Sequence, residues 1–155
     1  MIQGIVQEAP NLIRMPTDVV GEISGHEKVT RVFGQWPSFH DAEILRAVLV
    51  RRPSFASLDL ELTVHVLAQN SAAHTLVTLR FGKVKLDHFA DFNHQNVIDD
   101  LAITRDETSV ALFAVDIPAN NGLDLTFTCD SIDVVNVREY GADERKADGS
   151  IYSEL

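Results

Sequence analysis

The feature that most constrains the fold of this chain is a stretch in which apolar and polar residues alternate without a break. Every even position from Leu58 to Val66 is apolar. The odd positions between them are polar: Asp59, Glu61, Thr63 and His65. Because successive side chains of a strand point to opposite faces, the pattern predicts a β-strand with one dry face and one wet face. The dry face requires partner strands and a covering layer.

Further segments rich in β-forming residues follow at hairpin-like spacing, and no strand–helix–strand alternation is seen, so the pairing should be mostly antiparallel. Residues 97–104 fit a strand or a short helix, and their context favours a strand. The alternation slips near Asp130, where a bulge or bend is expected. Residues 85–95 are expected to be irregular. The predicted strands cover residues 43–52, 58–66, 76–84, 97–104, 110–117 and 123–140.

One helix is predicted ahead of the first strand. Ser24 and Glu27 have the spacing of a capping box, and Gly34 is a suitable stop. Between them Val29 and Phe33 belong to an apolar stripe, so the helix should span residues 25–33. The predicted fold class is therefore α+β: a single domain with a mostly antiparallel β-sheet of about six strands and one N-terminal helix packed on it.

The length of 155 residues fits a single domain, residues 1–155. Residues 1–16 contain Pro10 and Pro16 and are expected to be irregular. Residues 141–155 are charged and polar and are expected to form a loosely ordered tail. The start of the chain lacks the pattern of a signal peptide, and no stretch of 18 apolar residues occurs.

The charge balance narrows the choice of partners. The formal net charge is −10 at pH 7 and the pI is about 4.9. A field of this sign repels nucleic acid and anionic membranes and attracts basic partners. The lone cysteine, Cys129, lies in an apolar strand and is expected to be a buried, inert thiol. A reducing compartment, and hence the cytoplasm, is expected.

Two short polar segments hold the candidate functional residues. The His40 segment (residues 36–44) precedes the first strand, and the Asn96 segment (residues 92–98) lies in the expected irregular excursion. Strand alternation would place His40 on one face and Asp41 with Glu43 on the other, which argues against a shared metal and favours a structural role. The candidates are Trp36, Phe39, His40 and Asp41 in the first segment and Asn93, His94, Gln95 and Asn96 in the second.

Acidic residues supply a possible docking surface. Asp59 and Glu61 on the wet strand face, with Asp99 and Asp100, are candidates for contact with a basic partner. An ordinary solvated sheet face is the simpler alternative. No nucleotide-binding, nucleophile-elbow or zinc-binding motif occurs, so we expect no catalytic residues, no metal and no cofactor.

The order of motifs resembles the immunity protein 50 family of bacterial polymorphic toxin systems. The most specific string is Trp36-Pro37-Ser38-Phe39-His40-Asp41-Ala42-Glu43. Supporting strings are Phe92-Asn93-His94-Gln95-Asn96-Val97 and Phe127-Thr128-Cys129-Asp130-Ser131-Ile132, so that the resemblance covers residues 33–137.

This resemblance implies a small cytoplasmic protein that binds a cognate toxin and neutralises it by occlusion, without catalysis. The acidity of the chain favours a basic toxin, and monomer and homodimer stay open. Two other classes are kept as alternatives. One is a small metal-dependent hydrolase using His40, Asp41 and His94, which requires these side chains to converge in a partly open pocket. The other is a dimeric ligand-binding or adaptor domain, which a large exposed apolar patch would favour.

Overall fold

A computed structural model describes residues 17–53, 56–67, 73–107 and 111–150. Within these ranges the chain forms three helices and ten strands. The helices are α1 (Thr17–Val20), α2 (His26–Phe33) and α3 (Ala142–Ala147). The strands are β1 (Glu43–Arg52), β2 (Ser57–Leu67), β3 (His74–Gly82), β4 (Lys85–Ala90), β5 (Val97–Ile98), β6 (Ala102–Arg105), β7 (Phe113–Ile117), β8 (Ala119–Asn121), β9 (Asp124–Cys129) and β10 (Ser131–Glu139).

The strands form two antiparallel sheets. The larger has six strands in the order β10-β3-β2-β1-β5-β8, and the smaller has four in the order β4-β9-β7-β6. The inner faces of the two sheets share one core, in which the rings of Phe81 and Phe127 meet edge to face with centroids 4.9 Å apart. Full burial of each such side chain stabilises the fold by about 1.5–3 kcal/mol. The molecule is therefore two sheets packed over a common core.

The predicted fold class is confirmed, and several bounds agree closely. β1 spans the predicted residues 43–52, and the predicted helix corresponds to α2, which ends at Gly34 as expected. Gly34 has a φ of 82°, and its N–H donates to the Thr30 carbonyl. The short segment 97–104 contains two strands, β5 and β6, rather than a helix. The second sheet was not predicted as a separate layer.

The break in alternation near Asp130 has a larger cause than a bulge. Asp130 separates β9, in the four-stranded sheet, from β10, in the six-stranded sheet, so the chain changes layers here. The opposite crossing, from β3 to β4, lies next to it, because the Asp130 N–H donates to the Gly82 carbonyl at 2.9 Å. The two crossings together join the layers at one edge.

The start of α2 differs from the predicted capping box. Gly25 is the N-cap residue, with a φ of 78°, and no side chain caps this end. Ser24 instead forms a parallel bridge with Asp133 of β10, accepting from the Val134 N–H at 2.7 Å. A Cβ on Gly25 would lie 2.8 Å from the Val134 carbonyl oxygen, so the helix start requires glycine for close packing on β10.

Two further expectations are corrected. Residues 85–90 form β4 at the edge of the smaller sheet, where the expectation was irregular structure. The segment 141–155 was expected to be a loosely ordered tail, but residues 142–147 form α3 and the Arg145 side chain is buried. The expected irregular segment 1–16 and residues 151–155 lie outside the described residues.

Candidate functional site

The His40 and Asn96 segments meet at the junction of β1 and β5. The Asp41 N–H donates to the Ile98 carbonyl at 2.9 Å, and the Ile98 N–H donates to the Ala42 carbonyl at 2.8 Å. One step further along, the Ile44 N–H donates to the Asn96 carbonyl at 2.8 Å. The two segments that looked separate in the sequence therefore form one structural unit.

The Asn96 side chain is the centre of this unit. It is 4% exposed, and its amide bonds only to backbone groups. Oδ1 accepts from the Asn93 N–H at 2.9 Å and the Leu123 N–H at 3.0 Å. Nδ2 donates to the carbonyls of Asn93 at 2.9 Å and Ile44 at 3.4 Å. A buried amide with all its donors and acceptors in use fixes the backbone around it.

Gly122 makes room for this amide. Its φ is +81°, and a Cβ there would lie 2.4 Å from the Gln95 carbonyl oxygen and 2.5 Å from Asn96 Oδ1. The neighbouring Asn121 donates to the Gln95 side chain at 3.3 Å. Sequence reasoning did not select Gly122, and its only signal was the Asn-Asn-Gly turn pattern.

The aromatic residues of the His40 segment attach it to the core. Phe39 is 2% exposed and adopts a left-handed backbone with a φ of 62°. Trp36 is half-buried and packs edge to face on Phe39, with ring centroids 5.5 Å apart. The left-handed turn lets Phe39 point inward while the next residue, His40, is exposed.

His40 and Asp41 come together, although strand alternation predicted that they would separate. His40 Nε2 lies 3.5 Å from Asp41 Oδ1. The prediction was wrong because residues 40 and 41 form a turn rather than a strand, and Asp41 has a φ of 65°. Glu43, which is in β1, lines a pocket that neither His40 nor Asp41 lines.

Asp99 completes the surroundings of His40. The imidazole Nδ1 is 2.7 Å from the Asp99 carbonyl oxygen, to which it donates, and 3.6 Å from Asp99 Oδ1. This carbonyl bond, followed by the Asp41 carboxylate, raises the pKa of His40. Asp41, Asp99 and Asp100 are all exposed, and we call these three residues the acidic ledge.

A surface pocket of about 460 Å³ opens beside the Asn96 segment. Its walls are the start of β1, the loop before Asn96 and the residues that follow α3. Phe92, which is 46% exposed, lies at this site with His94. His40 and Asp41 do not line it. The lining residues are Glu43, Ile44, Leu45, Phe92, Asn93, His94, Gln95, Asn96, Tyr140, Asp148, Gly149 and Ser150.

A buried polar cluster lies behind this pocket, under α3. His65 Nε2 is 2.9 Å from His74 Nδ1, and the Tyr140 ring stands edge to face on His65 with centroids 5.0 Å apart. Burial, His74 and Arg145 lower the pKa of His65 to about 4, and burial followed by Arg145 lowers the pKa of His74. The Tyr140 hydroxyl donates to Asp148 at 2.7 Å. These contacts dock α3 on the outer face of the larger sheet.

Two of the proposed partner-binding carboxylates already have partners within the chain. Asp59 forms an ion pair with Arg52 and accepts from the Lys83 N–H at 3.3 Å. Glu61 lies 3.1 Å from an Arg80 nitrogen. The outer face around them is mixed in charge, whereas Asp99 and Asp100 lie on the acidic ledge. Whether these four residues contact a partner stays a prediction.

Within the described residues, no group of three or more His, Cys, Asp or Glu side chains is arranged to hold a metal ion. His94 lies in the pocket while His40 and Asp41 lie on the ledge, so the convergence required by the hydrolase alternative is not seen. Cys129 is buried as expected, and burial followed by Asp130 raises its pKa to about 12. In the described part of the chain, no helix has the length and apolar character needed to span a membrane.

The fold and site describe a class of protein: a two-sheet α+β domain in which two polar segments build one junction, flanked by an exposed acidic ledge and an open pocket. The model of the family Immunity protein 50 matches residues 25–140, which contain both polar segments and all ten strands. The chain therefore belongs to the Immunity protein 50 family. No curated protein and no solved structure is significantly similar to it.

Proposed function

We propose that this protein neutralises a cognate bacterial toxin by binding it and occluding its active surface, without performing chemistry itself. The observation that carries the proposal is the family match over residues 25–140, because the family is one of immunity proteins and such proteins have a toxin as partner. The proposed compartment is the cytoplasm of the producing cell.

The charge distribution supports a basic toxin. The net charge of −10 favours association with a positively charged protein, chiefly by accelerating encounter. The acidic ledge presents three exposed carboxylates, and its backbone is held by bonds from the Asp41 N–H to the Ile98 carbonyl and from the Asp99 N–H to the Pro118 carbonyl. A rigid, charged surface of this kind limits the ordering cost that binding has to overcome. We propose the ledge as part of the toxin-facing surface.

Co-expression with a candidate toxin, sought among the products of neighbouring genes, tests the function directly. We expect cells that produce both proteins to grow, and the two proteins to co-elute on a sizing column. Loss of growth together with separate elution would overturn the proposal. This measurement does not depend on which surface binds.

The ledge is tested by charge reversal. In Asp99→Lys/Asp100→Lys, the association rate with the toxin should fall by about tenfold or more at low salt, because electrostatic steering is lost. The control Asp87→Lys/Glu139→Lys makes the same change in net charge at exposed sites on β4 and β10. Equal rates for the two double variants would show that only net charge matters and that the ledge is not part of the interface.

A further inference from the structure

The Glu43 carboxylate lacks a hydrogen-bond or ion-pair partner in the described part of the fold. Its backbone lies in β1 between β2 and β5, opposite His65 and Val97. The side chain is half-buried, and no hydrogen bond or ion pair reaches it from the described residues. Withdrawing a carboxylate from water without a partner costs free energy, and here burial raises the pKa of Glu43.

A second carboxylate faces the same pocket. Asp148 accepts from the Tyr140 hydroxyl through Oδ2, and Oδ1 has no partner among the described residues. The charges of Asp148 and Glu43 both contribute to raising the pKa of Tyr140, after its burial. Tyr140 therefore lies within electrostatic reach of both carboxylates. The buried cation nearby, Arg145, donates to the Tyr140 carbonyl and does not line the pocket. The described lining residues thus include two carboxylates and no arginine or lysine.

The remaining walls fit a flat cation. The exposed Phe92 ring lies at the pocket, and the Asn93–Asn96 loop adds amide groups held in place by the Asn96 network. A guanidinium group donates to carboxylates through paired N–H groups, stacks on aromatic rings and is more easily desolvated than an ammonium. The volume of about 460 Å³ accommodates one long side chain.

We propose that this pocket receives an arginine side chain of the partner toxin, with Glu43 as the main carboxylate and Asp148 and Phe92 as secondary contacts. This inference rests on the proposed function, since it names the chemistry by which the toxin is held. A buried arginine in a fitted pocket is a common centre of binding energy in protein interfaces. The acidic ledge then guides encounter, and the pocket holds the complex.

Glu43→Gln is a sharp probe because it removes the charge while keeping the shape. The carboxylate has no hydrogen-bond or ion-pair partner to lose among the described residues, so the variant should unfold at the same or higher urea concentration than the parent. Glu139→Gln is the matched control, since Glu139 is exposed and its side chain forms no hydrogen bond or ion pair with the described residues. A variant that folds well yet fails to bind cannot be explained by misfolding.

The pocket can be tested on the free protein with a small probe. N-acetyl-arginine methylamide should shift the amide NMR signals of residues 92–96 and 148–150 saturably. Its neutral isostere, N-acetyl-citrulline methylamide, and the Glu43→Gln variant should each bind about tenfold more weakly or less. Glu139→Gln should match the parent. Absence of saturable shifts, or equal binding of the two compounds, would overturn the proposal.

The toxin complex provides the second test. Glu43→Gln should raise the Kd by about tenfold or more, mainly through faster dissociation, while Glu139→Gln should leave it unchanged. If the parent protects cells and Glu43→Gln binds equally well, the pocket inference fails and the proposed function stands. If the parent forms no complex with the toxin, the proposed function fails, and the probe titration still decides whether the pocket binds a guanidinium.

Discussion

The Asn96 segment and the His40 turn are both short, polar and rich in hydrogen-bonding side chains, and they lie side by side between β1 and β5. Their side chains nevertheless have opposite environments, because one is buried and the others are exposed. Asn96 is 4% exposed, and the donors and acceptors of its side-chain amide bond to backbone groups. His40 and Asp41 point outward, with side chains 52% and 71% exposed. The two segments have similar polar compositions. They differ because the surrounding backbone encloses the side chain of Asn96 and leaves those of His40 and Asp41 at the surface.

The largest expected effect comes from removing the enclosed amide. Asn96→Ala leaves backbone groups of three residues without partners, so the free energy of unfolding should fall by about 3–4 kcal/mol. The matched control is Asn93→Ala, at an exposed side chain that bonds only within its own loop, with an expected loss of about 1 kcal/mol. Urea unfolding followed by the fluorescence of Trp36 measures both. Similar losses would mean that enclosure does not distinguish the two asparagines.

A smaller effect should come from filling the space that Gly122 leaves. Gly122→Ala imposes both a left-handed backbone and a clash with Gln95 and Asn96, and should cost about 2–3 kcal/mol. Gly34→Ala is a suitable control, because its φ is +82° but nothing lies within 4 Å of the added Cβ. It should cost about 1 kcal/mol. Equal losses for the two variants, measured by calorimetry, would mean that the left-handed backbone accounts for the whole loss of stability and the clash with the Asn96 amide for none of it.

The histidines extend the comparison to pH. His65 and His74 have pKa values below that of an unfolded histidine, so the unfolded state binds protons more readily as the pH falls from 6.5 towards 4. Their contribution to stability is complete above pH 6.5 and is lost below it. Between pH 6.5 and 5 the free energy of unfolding should drop by about 2 kcal/mol.

This drop is best measured in the Glu43→Gln background. The pKa of Glu43 is raised, so its contribution has the opposite sign and is lost as the pH rises. Replacing the exposed His40 by Gln should leave the change in the free energy of unfolding between pH 6.5 and 5 as it is in the parent. A flat profile from pH 6.5 to 5 would show that the pair under α3 is accessible to protons in the folded state.

The smallest effect concerns His40 itself. Its imidazole should titrate above 6.5 by NMR, and Asp41→Asn should lower the midpoint, because the Asp41 carboxylate stabilises the charged ring. Asparagine tolerates the left-handed backbone of position 41, so the unfolding midpoint should hardly change. Asp87→Asn, at a distant exposed site on β4, should leave the titration unchanged. An unaltered midpoint in Asp41→Asn would show that the Asp41 and His40 side chains do not interact in solution.

Local patterns predicted local structure well. Alternation located β2, a segment rich in β-forming residues located β1, and Gly34 marked the end of α2. β4 was missed because Lys85-Leu86-Asp87-His88-Phe89-Ala90 lies at a sheet edge and is largely exposed, so no alternation records it. The slip at Asp130 was noticed, but its cause was a change of layer, which depends on pairings between distant strands.

The site was harder to foresee for the same reason. The meeting of the His40 and Asn96 segments depends on pairing across more than fifty residues, as between Ile44 and Asn96. The closeness of His40 and Asp41 depends on a turn where a strand was assumed. The lack of a partner for Glu43 among the described residues is a property of its three-dimensional surroundings, and no spacing in the sequence records it.

The bridge between Ser24 and Asp133 has a consequence for how the protein is made. It joins the segment before α2 to β10, the last strand, and β10 also pairs along its length with β3. On the ribosome, the larger sheet therefore lacks one edge until residues near 139 have emerged, and until then α2 lacks the strand on which it packs. Contacts that span so much of the chain slow folding. Protection of cells from the toxin should consequently begin only after β10 has emerged, and chains truncated before β10 should give none.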